Sequence, residues 1–223
     1  MEWLGTVSGQ NLLEQERRLT GQALESVFGD QIVQIGGWGT ANALMSQART
    51  QFAVVLNQQA VVGVGALTSP TRLGVRSDSV DAVLLPHTLE FSDDAHTVLR
   101  EVHRVLRPDG RLIVLGFNPR SWWGLRNRFS RGYPPGARRH VSAPRLSDWL
   151  RLLSIRVDSV DPVYARPPRH QFEAFMQRSG CCASAYLLMA TKETVPMTVI
   201  RPRLSRAPRL VGSLVNPSTR NVA

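Results

Sequence analysis

The sequence predicts an α/β protein, a doubly wound and mostly parallel sheet with helices on both faces. Three observations carry that expectation. Short apolar runs such as VDAVLLP, residues 80–86, read as strands buried on both sides. Amphipathic stretches with apolar residues at three- and four-residue steps lie between such runs. Short glycine or Pro-Asp-Gly turns join them, and this alternation favours parallel strands linked by covering helices.

Taken in order, Leu12, Leu19, Ala23 and Val27 mark an amphipathic helix over residues 10–28, which Gly29 stops. Ile32, Val33 and Ile35 form a short buried strand, and a second helix is predicted from Thr40 to Arg49. FAVVL at 52–56 and AVVGVGAL at 60–67 are strand-like. After the strand at 80–86, Ser92 or Asp93 can cap a helix whose inner face is Ala95, Val98, Leu99, Val102 and Leu106. RPDG, 107–110, is a turn ahead of the strand RLIVLGF, 111–117. A helix over 147–154 and strands over 155–164 and 183–191 follow. From Val195 onward, prolines, arginines and small polar residues without periodicity predict a largely disordered tail.

At 223 residues the chain suits one domain of moderate size with appendages. No apolar run approaches the roughly 20 residues of a membrane helix. The start, MEWLGTVSGQ, lacks the features of a secretion signal. Cys181 and Cys182 are neighbours, and no Cys/His cluster has metal-ligand spacing, so a cytoplasmic, metal-free protein is expected.

The net charge of +10 is unevenly placed. Residues 118–140 carry Arg120, Arg126, Arg128, Arg131, Arg138 and Arg139 and no acid, while residues 192–223 carry a net +5. A nearly neutral body with two basic segments can bind an anionic partner, and a solubilising surface is the competing reading.

One longer pattern is more specific. In residues 73–119, S-D-S-V-D at 77–81 leads into a buried strand, H-T-L-E at 87–90 follows it, and E-V-H-R-V-L-R-P-D-G precedes the next strand. This ordered set resembles the class I S-adenosylmethionine-dependent methyltransferases of the type 11 group, and the N-terminal helix, FNPRSWWGLR at 117–126 and the basic tail resemble its small bacterial members. The resemblance implies a Rossmann-like sheet of seven strands whose last strand is antiparallel. It also implies a methyltransferase-like domain over 30–191 with a basic insertion at 118–140, preceded by a helical segment at 1–29 and followed by the basic tail 192–223.

Ligands in such sheets sit above the carboxyl ends of the strands, where strand order reverses. The resemblance therefore assigns S-adenosylmethionine to Gln34, Gly36, Gly37, Gly39, Asn57, Ser69, His87 and Thr88. The glycines would keep a Cβ out of the cofactor's way and allow positive φ. Several of these positions depart from the family, whose first strand ends in an acid and whose turn reads G-x-G-x-G. Here the acid is Gln34, the turn is G-G-W-G with Trp38 inside it, and LNQQ at 56–59 lacks the ribose-binding carboxylate. No acid occurs between Asp30 and Asp78. Replacing two charge-assisted hydrogen bonds by neutral ones costs about 2–3 kcal/mol, roughly 30- to 150-fold in affinity.

His87 is the candidate catalytic base, needed where the acceptor carries a proton. Phe117 and Asn118, with Trp122 and Trp123, are candidate substrate contacts. Glu90 reads as a local helix-start residue and Asp81 as structural. The implied activity is methyl transfer to an unidentified small molecule. The alternative is a catalytically degenerate fold that holds an anionic partner such as RNA through its arginines. A nicotinamide-dependent oxidoreductase would require G-x-G-x-x-G with a following acid, and neither is present.

Overall fold

The computed structural model describes residues 2–40, 42–121, 137, 139–165 and 183–194. A 3-10 turn, Glu2–Gly5, precedes α1 (Val7–Glu25), whose N-cap Thr6 accepts a hydrogen bond from Gly9 N. Then come β1 (Gln31–Ile35), β2 (Phe52–Asn57), β3 (Ala66–Leu67), β4 (Val80–Pro86), α2 (Thr88–Phe91), α3 (Ala95–Val105) and β5 (Leu106–Phe117). After α4 (Ala143–Leu152), β6 (Ile155–Val163) and β7 (Ala185–Lys192) complete the described elements.

The seven strands form one sheet in the order β3-β2-β1-β4-β5-β7-β6. The pairs from β3 to β5 are parallel, whereas β7 runs antiparallel to both β5 and β6. Strand order reverses between β1 and β4, whose ends therefore flank the crevice that such sheets offer a ligand.

Side-chain alternation along the central strands explains the two covered faces. Val33, Ile35, Val83, Leu85, Leu112 and Val114 join the core beneath α3 and α4. Their neighbours Ile32, Ala82, Leu84, Ile113 and Leu115 join the opposite core with Leu12, Ala23 and Leu24 of α1. A run apolar on both faces can be placed only between two helical layers.

Local boundaries differ from expectation where a polar group intervenes. The helix α3 is capped by Asp94, whose Oδ1 accepts from His96 N and Thr97 N, not by Ser92 or Asp93. Residues 42–47 form successive turns rather than a regular helix, with three-residue hydrogen bonds such as Ala48 N to Met45 O. The run 60–67 is a strand only at Ala66–Leu67, because its glycines and exposed valines make turns first. Arg107–Gly110 bulges within β5, since Val80 pairs with Leu106 but Ala82 pairs with Arg111. Asp109 takes a φ of 61° there, the left-handed geometry of a tight turn. Asp81 is structural as expected: it accepts from Asp30 N, Gln31 N and Arg107 at the opposite end of the sheet from the crevice.

Candidate active site

The site begins with the short connection after β4. His87 takes φ 54° and ψ 15°, a left-handed conformation that a non-glycine residue adopts only under local constraint. Its N–H donates to Leu115 O of β5, and its ring is wholly buried. The ring stacks on Phe117 at a centroid distance of 3.9 Å and an interplanar angle of 26°. On another side Trp38 lies 4.2 Å away, centroid to centroid, tilted by 45°.

The ring's partner comes from an unexpected place. His87 Nε2 lies 2.8 Å from Oε1 of Glu16, in the middle of α1, and Trp38 Nε1 donates to Glu16 Oε2 at 2.6 Å. Both carboxylate oxygens are thus engaged, as a buried carboxylate requires. Glu16 shares the buried stripe of α1 with Leu12, Thr20, Ala23 and Leu24. An acid on an apolar helix face was the signal that could have revealed it.

Glu90 stands in the first turn of α2, the helix-start position expected of it. It is buried, and its Oε1 accepts the Phe117 N–H at 2.8 Å, which ties α2 to the end of β5. Burial raises its pKa to about 6, opposed by its proximity to His87 and by the Phe117 hydrogen bond. Burial, with Glu90 nearby, likewise pushes the Tyr186 phenol well above its ordinary value, and its hydroxyl donates to Val141 O.

The glycine turn stands beside this cluster. Gly36 has φ +96° and Gly39 φ +70°, so both need glycine's freedom. What a Cβ would meet, however, is protein: Thr88 Oγ1 at 2.8 Å from Gly36, Asn57 Nδ2 at 3.2 Å from Gly37, and Leu13 Cδ2 at 2.9 Å from Gly39. Thr88 Oγ1 itself donates to Ile35 O, linking the end of β1 to α2. Trp38, within this turn, is fully buried and bridges it to α1.

The remaining predicted residues have more local roles. Gln34 is buried; its Nε2 donates to Gly36 O, and its Oε1 finds no partner among the described residues. Asn57 accepts from Gln58 N and donates to Gln59 O, holding the exposed loop after β2. Ser69 shares a hydrogen bond with Thr71 within its own turn. Asn118 donates to Ala183 O and accepts from Arg120 N, joining the end of β5 to the approach of β7. Trp122, Trp123, the tail from 195 and all but Arg120 and Arg139 of the insertion's arginines lie outside the described residues. Among the described residues no helix is long and apolar enough to cross a membrane, and no group of acids, histidines or cysteines could hold a metal.

Comparison with known proteins finds the same fold and a partial match to one family. The profile of the methyltransferase domain family matches residues 38–114. Over that segment, about a third of its length, the chain is similar to the methyltransferase type 11 group. Among individual proteins, it is 35% identical over 133 residues to the uncharacterized protein YafS of Escherichia coli K12, covering 58% of this chain and 55% of that one. It is 31% identical over 136 residues to the ubiquinone/menaquinone biosynthesis C-methyltransferase UbiE of Rubrivivax gelatinosus, covering 55% of this chain and 50% of the relative. The chain thus spans about half the length of these curated relatives. In fold it is similar to a methyltransferase of Thermotoga maritima described as a possible histamine N-methyltransferase. That match has a TM-score of 0.60 at 17% identity and covers 82% of this chain and 92% of the other.

Similarity to that family implies S-adenosylmethionine, and the turn after β1 has features that suit it. Positive-φ glycines carry the chain over the crevice, and the unpartnered Gln34 Oε1 is a buried acceptor suited to an ammonium group. The end of β2 provides no charge for the ribose, since Asn57 stands there.

Proposed function

We propose that this protein transfers a methyl group from S-adenosylmethionine to a planar, largely apolar aromatic acceptor of the quinol class. The observation that carries the reading is the buried His87 at the end of β4, between the rings of Phe117 and Trp38. Such a site selects by flat apolar packing and keeps a titratable nitrogen beside the reacting atoms. The names of the quinone-pathway relatives support the acceptor class.

In this reading the backbone of Gly36–Gly39 and Gln34 Oε1 hold the methionyl arm, and Asn57 faces the ribose. The cofactor supplies an electrophilic methyl group on a sulfonium. The chain's own contribution is alignment, exclusion of water and acceptance of the acceptor's proton. The predominantly protein-filled space around the turn excludes water without a charged clamp.

Calorimetric titration with S-adenosylhomocysteine, followed by transfer of labelled methyl to reduced 1,4-naphthoquinols, tests the proposal. Binding in the micromolar range with quinol-dependent label incorporation is expected. No binding at millimolar ligand would remove the cofactor assignment, and binding without transfer to any quinol would remove the acceptor class.

A further inference from the structure

Glu16 lies outside the segment matched by the family profile, yet it is the partner of the candidate base. As a carboxylate its Oε1 can only accept, so the hydrogen in the 2.8 Å contact belongs to His87 Nε2. Its Oε2 is already filled by the Trp38 indole N–H, which prevents the carboxylate from rotating away. The imidazole is then fixed in position by its two ring neighbours, its left-handed backbone and one charged hydrogen bond. The other ring nitrogen, Nδ1, is buried and has no hydrogen-bond partner among the described residues. A buried nitrogen left unpaired costs free energy, so its persistence beside the crevice calls for a ligand that satisfies it.

We infer that Glu16 is a positioning residue, holding His87 as the Nε2–H tautomer so that Nδ1 takes the proton of the methyl acceptor. The inference rests on the reaction proposed above. In the step, the acceptor loses one proton to Nδ1 and forms one bond to the methyl carbon. The broken sulfur–carbon bond leaves its electron pair on sulfur, so the sulfonium charge is discharged and the imidazole becomes imidazolium. Glu16 then stands 2.8 Å from the new cation, which it stabilises most as the charge develops. Because the His87 ring is wholly buried, the acceptor reaches Nδ1 only when one of the neighbouring rings is displaced.

The test is ring-nitrogen NMR of the full chain labelled at histidine, with His87 assigned among the five histidines by its contacts to Phe117 and Trp38. The free wild-type protein is expected to show His87 as a single Nε2–H tautomer. Glu16→Gln should lose that single form and lower kcat toward a naphthoquinol on the order of 10²-fold, with S-adenosylhomocysteine affinity within about twofold. A wild-type Nδ1–H tautomer, an even mixture of the two, or a folded Glu16→Gln chain with unchanged kcat would overturn the inference. The wild-type spectrum needs no variant, so the tautomer test stands even where Glu16→Gln fails to fold. Absence of methyl transfer by a wild-type chain that shows the Nε2–H form instead overturns the reaction reading and, with it, the proton-accepting role of Nδ1.

Discussion

The two sides of the crevice are built on different plans. At the ends of β4 and β5, polar side chains are buried and reach across the fold: His87 to α1, Glu90 to β5, Thr88 to β1. At the ends of β2 and β3, Asn57 and Ser69 bond within their own loops and remain partly open to solvent. A side chain that closes a long-range contact is fixed by the whole fold. One that closes a local turn leaves its neighbourhood adaptable. On the proposed function, the reacting end is therefore preorganised and the nucleoside end is left for the cofactor to shape.

The largest expected effect comes from removing the hinge of the preorganised side. Trp38→Ala should cost about 3–5 kcal/mol of unfolding free energy, because it empties a large buried volume and leaves Glu16 Oε2 unpaired. Urea denaturation measures it. A loss below about 1 kcal/mol would mean that the aromatic cluster is loosely packed and the contrast with the nucleoside end is overstated.

Glu90 gives an effect of intermediate size with a definite sign. Its folded pKa is about 6 against an ordinary 4.5, so the native chain keeps a proton that the unfolded chain releases. Stability therefore falls as pH rises through that window, by roughly 2 kcal/mol for this group. Burial is the largest cause of the shift; among the neighbouring titratable groups His87 opposes it and Glu16 adds to it. Glu90→Gln should abolish this slope, so the variant gains on wild type between about pH 4.5 and 6. Urea midpoints of both chains across the range check it. A constant difference between them would show that Glu90 titrates as an exposed acid does.

The smallest effects belong to the adaptable side. Asn57→Ala should weaken S-adenosylhomocysteine binding about fivefold, the value of one neutral hydrogen bond, and change stability by less than about 0.5 kcal/mol. Calorimetry with a parallel melt separates the two quantities. A hundredfold loss of binding would place Asn57 in a preorganised clamp and erase the distinction.

Much of the architecture was legible because the strands that build it are apolar on both faces. VDAVLLP can go nowhere but the sheet centre, and the H-T-L-E to R-P-D-G spacing fixes the helix that follows. The segment 60–67 misled because its valines suggest a strand, whereas Gly63 and Gly65 let the chain turn first. The turn G-G-W-G was locatable, but the purpose of Trp38 was not. Its indole N–H answers an acid 22 residues earlier, and local spacing does not encode such a contact. Glu16 was missed for the same reason: its partners are Trp38 and a histidine 71 residues away. The tie from Glu90 to β5 was not legible, because only the sheet brings the Phe117 N–H to it.

Strand order carries one more consequence. The last described strand, β7, lies inside the sheet, and β6 pairs only with it. While the chain emerges from the ribosome, the β5 edge from Leu112 to Phe117 must wait, apolar and unpaired, until residues 185–192 arrive. Only β4 then flanks β5, on its other side, and β6 has nowhere to dock. An open apolar edge is a template for another chain, so the interval before β7 inserts is when a nascent molecule is most exposed to aggregation and most dependent on chaperones.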